Sequence, residues 1–147
     1  GNMVDWWARE DDEKFTELAQ GMIDQFDGYV AIDSLHVNGE LTLGENIADR
    51  AGLRIAYRAL QIAREGRDDP MVDGFTQEQR FFLSFAQFFR VNFTPEILKL
   101  IVNTDPHSPN RFRVIGPLSH LSEFAEAFGC TEGDNMYTPS DQQVHVW

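Results

Sequence analysis

Apolar side chains in the first part of the chain recur at the spacing of an amphipathic helix. After a turn-like start over residues 1–7, one stripe of apolar positions holds Phe15, Leu18, Met22, Ile23 and Phe26. This repeat predicts a helix with one buried face. Asn38-Gly39 is typical of a tight turn, so the stretch 27–41 is expected to form a short hairpin or an extended loop.

A long second helix is predicted over residues 42–66. Thr42 and Glu45 match the T-x-x-E capping box, which marks the N-terminus of a helix. The positions that follow are apolar at every fourth residue, as a helix with one buried face requires, and the pattern fades at Gly66.

The second half of the chain predicts three further helices. Thr76 is expected to cap a third helix that runs to Arg90 and is apolar almost all round, which predicts burial on most sides. Thr94-Pro95 starts a short fourth helix. Residues 104–118 contain three prolines and are expected to be irregular, and a fifth helix is expected over 119–128. The fold class is therefore mainly α, with about five helices, irregular loops and a short hairpin.

Composition narrows the class of partner. The 147 residues suffice for one domain, and the formal net charge of −12 argues against nucleic acid and against attachment to anionic lipid. No apolar run approaches the roughly 18 residues of a membrane segment. Cys130 is the single cysteine, so neither a disulfide framework nor a zinc knuckle can form within the chain.

Glu45 and Asp49 are the first candidates for chemistry. They lie four residues apart and share a helix face with a small-residue seam, formed by Ala48, Gly52 and Ala56. A bound cation would explain two acids beside such a seam: one acid would be a ligand, and the other would hold a second ligand in place. The alternative is that Glu45 only caps its helix, and that Asp49 pairs with a nearby arginine (Arg50 or Arg54) or with solvent.

His107 and Arg113 are the second pair of candidates. Both lie in or after a proline-rich stretch, where a rigid guanidinium and an imidazole could together polarise a carbonyl. The alternative is an ordinary loop histidine beside surface arginines. The chain contains no H-E-x-x-H, G-x-S-x-G, P-loop or C-x-x-C motif.

Several blocks of the sequence, taken in order, are similar to the motifs of one known family. Residues 44–49, which read Gly-Glu-Asn-Ile-Ala-Asp, resemble the G-E-N-x-A-D core of the second zinc motif in the neprilysin and endothelin-converting-enzyme family. The other matching stretches are 6–7, 81–87, 104–109, 112–116, 124–130 and 146–147. The resemblance extends over essentially all 147 residues.

This resemblance implies the helical C-terminal part of a gluzincin-type, thermolysin-like catalytic domain and a role for each candidate. Glu45 corresponds to the third zinc ligand, and Asp49 to the residue that orients the first ligand histidine. His107 and Arg113 correspond to residues that contact the substrate and stabilise the tetrahedral oxyanion. The implied reaction is peptide hydrolysis by a zinc-activated water.

Phe88 and Phe89 fall where the family lines its main side-chain pocket, which implies cleavage on the amino side of bulky apolar residues. The family's H-E-x-x-H segment lies upstream of residues 6–7. Residues 1–147 are therefore expected to be one incomplete domain, with a single zinc bound only in the complete catalytic domain. The chain alone is expected to be inactive.

The resemblance also implies partners and a compartment. The small-residue seam is expected to bind the missing N-terminal part of the domain or to self-associate, and peptides are the substrates of the complete enzyme. Val144 occupies a position where many animal members have a cysteine, which favours a bacterial-type member. The family favours an extracytoplasmic location. The alternative function is a non-catalytic helical binding module that has lost its metal site.

Overall fold

Six helices and one two-stranded hairpin make up the computed structural model, which describes residues 4, 6–67 and 70–146. In chain order the elements are α1 (Arg9–Asp27), β1 (Val30–Ile32), β2 (Leu35–His36), α2 (Gly39–Arg64), α3 (Gln77–Phe88), α4 (Pro95–Thr104), α5 (Asn110–Ser119) and α6 (Ser122–Phe128). The mainly helical class is confirmed. Within the described ranges, no helix is long and apolar enough to cross a membrane.

The hairpin β1–β2 connects α1 to α2, which pack against each other. The two strands are antiparallel, with Ile32 opposite Leu35. The helices come closest at Gly39, where a Cβ would overlap the carbonyl oxygen of Ile23, so only glycine fits there. The backbone N–H of Gly39 also donates to Oδ1 of Asp27, at 2.6 Å.

Two apolar clusters form the core. The first, between α1, the hairpin, α5 and the C-terminal segment, consists of Met22, Phe26, Val37, Phe112 and Val146. The second, between α2, α3, α5 and α6, consists of Leu53, Tyr57, Phe82, Leu118, Leu121 and Phe124. In the second cluster the Phe82 ring stacks on Tyr57 at 5.1 Å and meets Phe124 edge-on at 5.6 Å. The two clusters lie on either side of α5, which brings the preceding loop against α2.

The start of α2 differs from the sequence prediction. Asn38 is the N-cap, and its side chain accepts a hydrogen bond from the N–H of Leu41. The predicted capping box of Thr42 and Glu45 is therefore wrong, and the Thr42 hydroxyl instead donates to the carbonyl of Asn38 at 2.9 Å. Asparagine satisfies a helix N-terminus as well as threonine does, so the helix begins three residues earlier than predicted, and the hairpin turns at residues 33–34 instead of at Asn38.

The stretch 104–118 is more regular than predicted. Residues 110–119 form α5, and this extra helix brings the number in the described chain to six instead of five. Pro109 is the N-cap residue, and Pro117 lies in the last turn, where one missing N–H removes little of the hydrogen-bond ladder. The next helix begins at Ser122 instead of residue 119.

Helix α3 is less buried than its composition predicts. Its N-terminus has the expected Thr76 cap, completed as a capping box by Gln79. Phe82 is the only residue of α3 that is fully buried, and Phe88 is 83% exposed. The prediction of burial on most sides is wrong for the described part of the chain, because α3 packs mainly against α6.

Candidate functional site

Helix α2 and the loop between α4 and α5 bring Glu45 and His107 together. Oε2 of Glu45 lies 3.1 Å from Nε2 of His107, and each side chain is about two-fifths exposed, at 41% and 43%. Glu45 lies in the second turn of α2, so its carboxylate projects from a rigid element. A carboxylate and an imidazole, 62 positions apart in sequence, therefore share one open face.

Asp105 holds the other side of the His107 ring, a role that sequence reasoning missed. Its Oδ1 lies 2.7 Å from Nδ1 of His107 and accepts the backbone N–H of the same residue at 2.9 Å. Both bonds lower the pKa of Asp105, and the bond from the backbone N–H has the larger effect. The available signal was the Asp-Pro-His spacing, since an aspartate commonly accepts from the N–H two residues on.

Asp49 and Arg113 form a bidentate ion pair beside this acid–histidine pair. Nε of Arg113 lies 2.6 Å from Oδ2 of Asp49, and Nη2 lies 2.7 Å from Oδ1. The side chains are only 11% and 20% exposed, and the bond to Asp49 raises the pKa of Arg113. The partner of Asp49 is thus neither a nearby arginine of its own helix nor solvent, because α5 brings Arg113 against α2.

A buried chain of hydrogen bonds fastens the His107 loop to α2. Ser108 donates to Oδ1 of Asn46 at 2.8 Å, and Asn46 donates to the hydroxyl of Thr42 at 2.9 Å. All three residues are at most 2% exposed. Sequence reasoning did not single out Asn46 or Ser108, although Asn46 directly follows Glu45. Buried side-chain bonds of this kind define the loop position, since breaking one leaves a polar group unpaired.

The two predicted pocket phenylalanines are in different surroundings. The Phe89 ring is 8% exposed, and the Arg113 guanidinium carbon lies 4.8 Å from its centroid. Phe88 is largely exposed and meets Phe89 edge-on at 5.1 Å. A cavity of about 400 Å³ lies along Phe89 and is lined by residues of α3, of the segment that follows it and of α5, six of the ten being apolar. Phe89 thus lies at the site, and Phe88 lies at its outer side.

The remaining histidines lie apart from Glu45 and His107. His120 accepts the backbone N–H of Val144 at Nδ1, at 3.1 Å, and burial lowers its pKa to about 4. His36 is exposed and bonds the carbonyl of Asp27. Both histidines therefore make contacts to the backbone that are structural in kind.

The described residues do not complete a metal site. Over residues 4, 6–67 and 70–146, no three His, Cys, Asp or Glu side chains are grouped so that they could hold an ion. A catalytic zinc needs three protein ligands and an open position. Within the described ranges Glu45 offers a single partly exposed carboxylate, and one such ligand is too few for a catalytic zinc.

The fold is the same as that of a helical part of solved metallopeptidases. The structure of the zinc metalloprotease Zmp1 from Mycobacterium tuberculosis, in complex with an inhibitor, matches with a TM-score of 0.92 and 35% identity over 99% of this chain. PepO from Lactobacillus rhamnosis matches with a TM-score of 0.79 and 31% identity over 97% of the chain. This chain covers 23% of the Zmp1 chain and 21% of the PepO chain.

The chain belongs to Peptidase family M13, whose sequence model matches residues 1–144. An endothelin-converting enzyme homolog from Locusta migratoria is 45% identical over 92% of this chain, and human endothelin-converting enzyme 1 is 43% identical over all of it. The chain spans 19% of the length of both relatives. The resemblance to the neprilysin and endothelin-converting-enzyme family is thereby confirmed.

Proposed function

We propose that residues 1–147 form the C-terminal portion of the catalytic domain of a zinc-dependent endopeptidase or oligopeptidase that cleaves on the amino side of bulky apolar residues. The observation that supports this proposal best is the 3.1 Å approach of His107 to Glu45, beside the Asp49–Arg113 pair. Glu45, Asp49, His107 and Arg113, four side chains of the kinds used in metallopeptidases, thus lie close together.

Glu45 is proposed as one zinc ligand of the complete domain. Its carboxylate projects from α2, is partly exposed, and lies 3.1 Å from Nε2 of His107. The other ligands and the general base would come from residues outside the described ranges. Asp49 is proposed to orient one of those ligands in the complete domain while it keeps its bond to Arg113.

His107 and Arg113 are proposed to contact the substrate carbonyl. Each presents N–H donors on the same face as Glu45, and each is held by a carboxylate: Asp105 for the first and Asp49 for the second. Donors that are held in place before the reaction stabilise a developing oxyanion without further reorganisation. The anchoring of both side chains supports this role.

Phe88 and Phe89 are proposed to belong to the pocket for the substrate's apolar side chain. Phe89 supports this more directly, because its ring packs under Arg113 and borders the cavity of about 400 Å³. An apolar side chain in that cavity would contact the Phe89 ring, which in turn packs against Arg113, a proposed oxyanion donor.

We further propose a bacterial-type, extracytoplasmic enzyme. Val144 packs into the first core cluster, and Cys130 is a free thiol within the described structure, so this part of the chain needs no disulfide. The relatives of this chain include human endothelin-converting enzyme 1 and neprilysin-3 from Drosophila melanogaster. Compartment and lineage would both be read from the full-length gene.

The 147-residue chain alone is proposed to be inactive, and a non-catalytic helical binding module is the alternative function. Whether the chain is part of an enzyme or a binding module, the small-residue seam on α2 favours association. Ala48 and Ala56 are exposed, and a Cβ at Gly52 would meet no other atom. Association is proposed with the upstream part of the domain or with a second copy.

The experiment compares the purified chain with the chain co-expressed with the upstream polypeptide of the same reading frame. A fluorogenic peptide with an internal Phe is added with zinc. Turnover is expected only in the complemented sample, and Glu45→Gln should abolish it while an Asp12→Asn control, on the exposed start of α1, leaves it intact. Turnover by the chain alone contradicts the proposed inactivity, and binding without turnover favours the alternative module.

A further inference from the structure

A groove of about 630 Å³ runs along α2. Most of its lining comes from one side of that helix, and the rest comes from single residues of α1, α6 and the C-terminal segment. Its charged lining residues are Arg50, Arg54, Arg58 and Glu123, and its most exposed large apolar ones are Ile55 and Ile62. The two isoleucines are 71% and 58% exposed, so the groove has an apolar, uncovered rim.

Arg50 forms a cationic floor in this groove. The residue is 5% exposed, and its Nη2 donates to the backbone carbonyl of His120 at 2.9 Å. Its Nε and Nη1 are buried and have no hydrogen-bond partner in the described structure. Burial, with a smaller contribution from Arg54, lowers the pKa of Arg50 to about 10, so the guanidinium remains charged at neutral pH.

A buried cation in this state is destabilising. Buried charged groups are normally paired, because removal from water costs several kcal/mol in order of magnitude unless a partner compensates. Glu123 also lines the groove, but within the described ranges Arg50 has no carboxylate at ion-pair distance. Arg54 and Arg58 add positive charge nearby in a chain whose net charge is −12.

We propose that this groove receives a carboxylate-bearing segment from the remainder of the protein's own catalytic domain, whose Asp or Glu side chain pairs with Nε and Nη1 of Arg50. The inference rests on the proposed function. The chain spans 19% of the length of human endothelin-converting enzyme 1 and 23% of Zmp1, so most of a family member lies outside it. The two unpartnered N–H groups of Arg50 favour a carboxylate on the incoming segment. The exposed apolar rim favours a helix or strand with one apolar face.

The test uses Arg50→Met in two settings. In the isolated chain, we expect an unchanged or higher Tm, because an apolar side chain replaces an unpaired charge. In binding to the upstream polypeptide, measured by calorimetry, we expect roughly tenfold weaker affinity, because the incoming carboxylate loses its partner. The control Arg90→Met removes an exposed arginine. Its affinity should stay within about twofold of the parent's, and its Tm within about one degree.

A second variant guards against misfolding. Arg50→Lys keeps the charge but loses the fork of two adjacent N–H groups, and we expect binding of intermediate strength with an unchanged circular dichroism spectrum. Unchanged affinity in both variants overturns the inference. So does a clear fall in Tm of isolated Arg50→Met, which would mean that the guanidinium is already satisfied, or an Arg50-dependent dimer of the chain, which would make a second copy the occupant.

The outcomes separate this inference from the proposed function. An upstream polypeptide that binds independently of Arg50 and forms a complex active with zinc supports the peptidase and overturns the groove pairing. Binding that depends on Arg50 but yields no turnover supports the groove pairing and contradicts the peptidase.

Discussion

Two charged regions on α2 contrast in how their charges are compensated. Around Glu45 and Asp49, each charged group is held by a partner from the 105–113 segment, at distances between 2.6 and 3.1 Å. Around Arg50, one residue further on, the guanidinium is more deeply buried and two of its nitrogens lack partners in the described structure. The first region is organised by this chain, whereas the second is proposed to be completed by a carboxylate from the remainder of the catalytic domain. Pairing, more than burial alone, distinguishes a finished site from an unfinished surface.

The largest effect should follow from breaking the Asp49–Arg113 pair. Asp49→Asn removes the negative charge that faces the largely buried Arg113 guanidinium and one of the two oxygens that accept from it. We expect the free energy of unfolding to fall by about 3 kcal/mol. Urea denaturation measures it, with Asp12→Asn, an exposed acid of α1, as the control. A loss no larger than that of the control would mean that the pair contributes nothing, and the contrast with Arg50 would disappear.

The buried Asn46 link should come next. Asn46→Ala leaves the Ser108 hydroxyl without its acceptor and removes the donor to the Thr42 hydroxyl, and we expect a loss of about 2 kcal/mol in stability. The same measurement applies, with the exposed Asn92→Ala as a matched control. Proton NMR should also show a displaced His107 ring. An unmoved ring with full stability would contradict the role of Asn46 in holding the loop.

The charge of Arg50 should also be visible in the pH dependence of stability. His120 has its pKa lowered to about 4, first by burial and then by Arg50. The unfolded chain therefore binds more protons than the folded one between pH 6.5 and about 4, and stability should fall as the pH is lowered through that window.

Thermal unfolding between pH 7 and 4 measures this dependence. His120→Asn should flatten it, and Arg50→Met should reduce it in part, whereas His36→Asn, at an exposed position, should leave it unchanged. A parent protein whose stability rises toward pH 4 would contradict the burial of a neutral His120.

The smallest effect is expected for Asp105. Its bond to His107 is partly exposed, so Asp105→Asn should cost less than about 1 kcal/mol. Because the pKa of Asp105 is lowered in the folded state, this contribution is present above the ordinary pKa of 3.8 and is lost in more acidic solution. The exposed Asp141→Asn is the control. A larger loss of stability would mean that Asp105 maintains the fold and does more than position His107.

Much of the helical framework was predictable because it depends on local signals. The Thr76 and Thr94 caps and the apolar spacing of α1 identify their helices correctly. The start of α2 was not, because Asn38 and Thr42 both suit a helix N-terminus and only the close packing of Gly39 on α1 selects the first. Helix α5 was missed because three prolines suggested irregularity, although those at 109 and 117 lie at its ends.

The candidate site divides in the same way. Glu45, Asp49, His107 and Arg113 were selected by residue type and by resemblance to a family, and their mutual approach agrees with that selection, while their roles stay predictions. Asn46 and Ser108 were not selected, since a hydrogen bond between residues 62 positions apart leaves no pattern in the sequence. Asp105 was also missed, although its Asp-Pro-His spacing was an available local signal.

By itself, the sequence determined the mainly helical class, the peptidase family and the residues able to do chemistry, because helix periodicity, caps and ordered motifs are local properties of the chain. Only the tertiary structure decided which charges are paired. That choice depends on how α5 and its preceding loop pack on α2, and such packing is set by apolar contacts between distant segments. The same packing pairs Asp49 with Arg113 and leaves two buried nitrogens of Arg50 without a hydrogen-bond partner in the described structure.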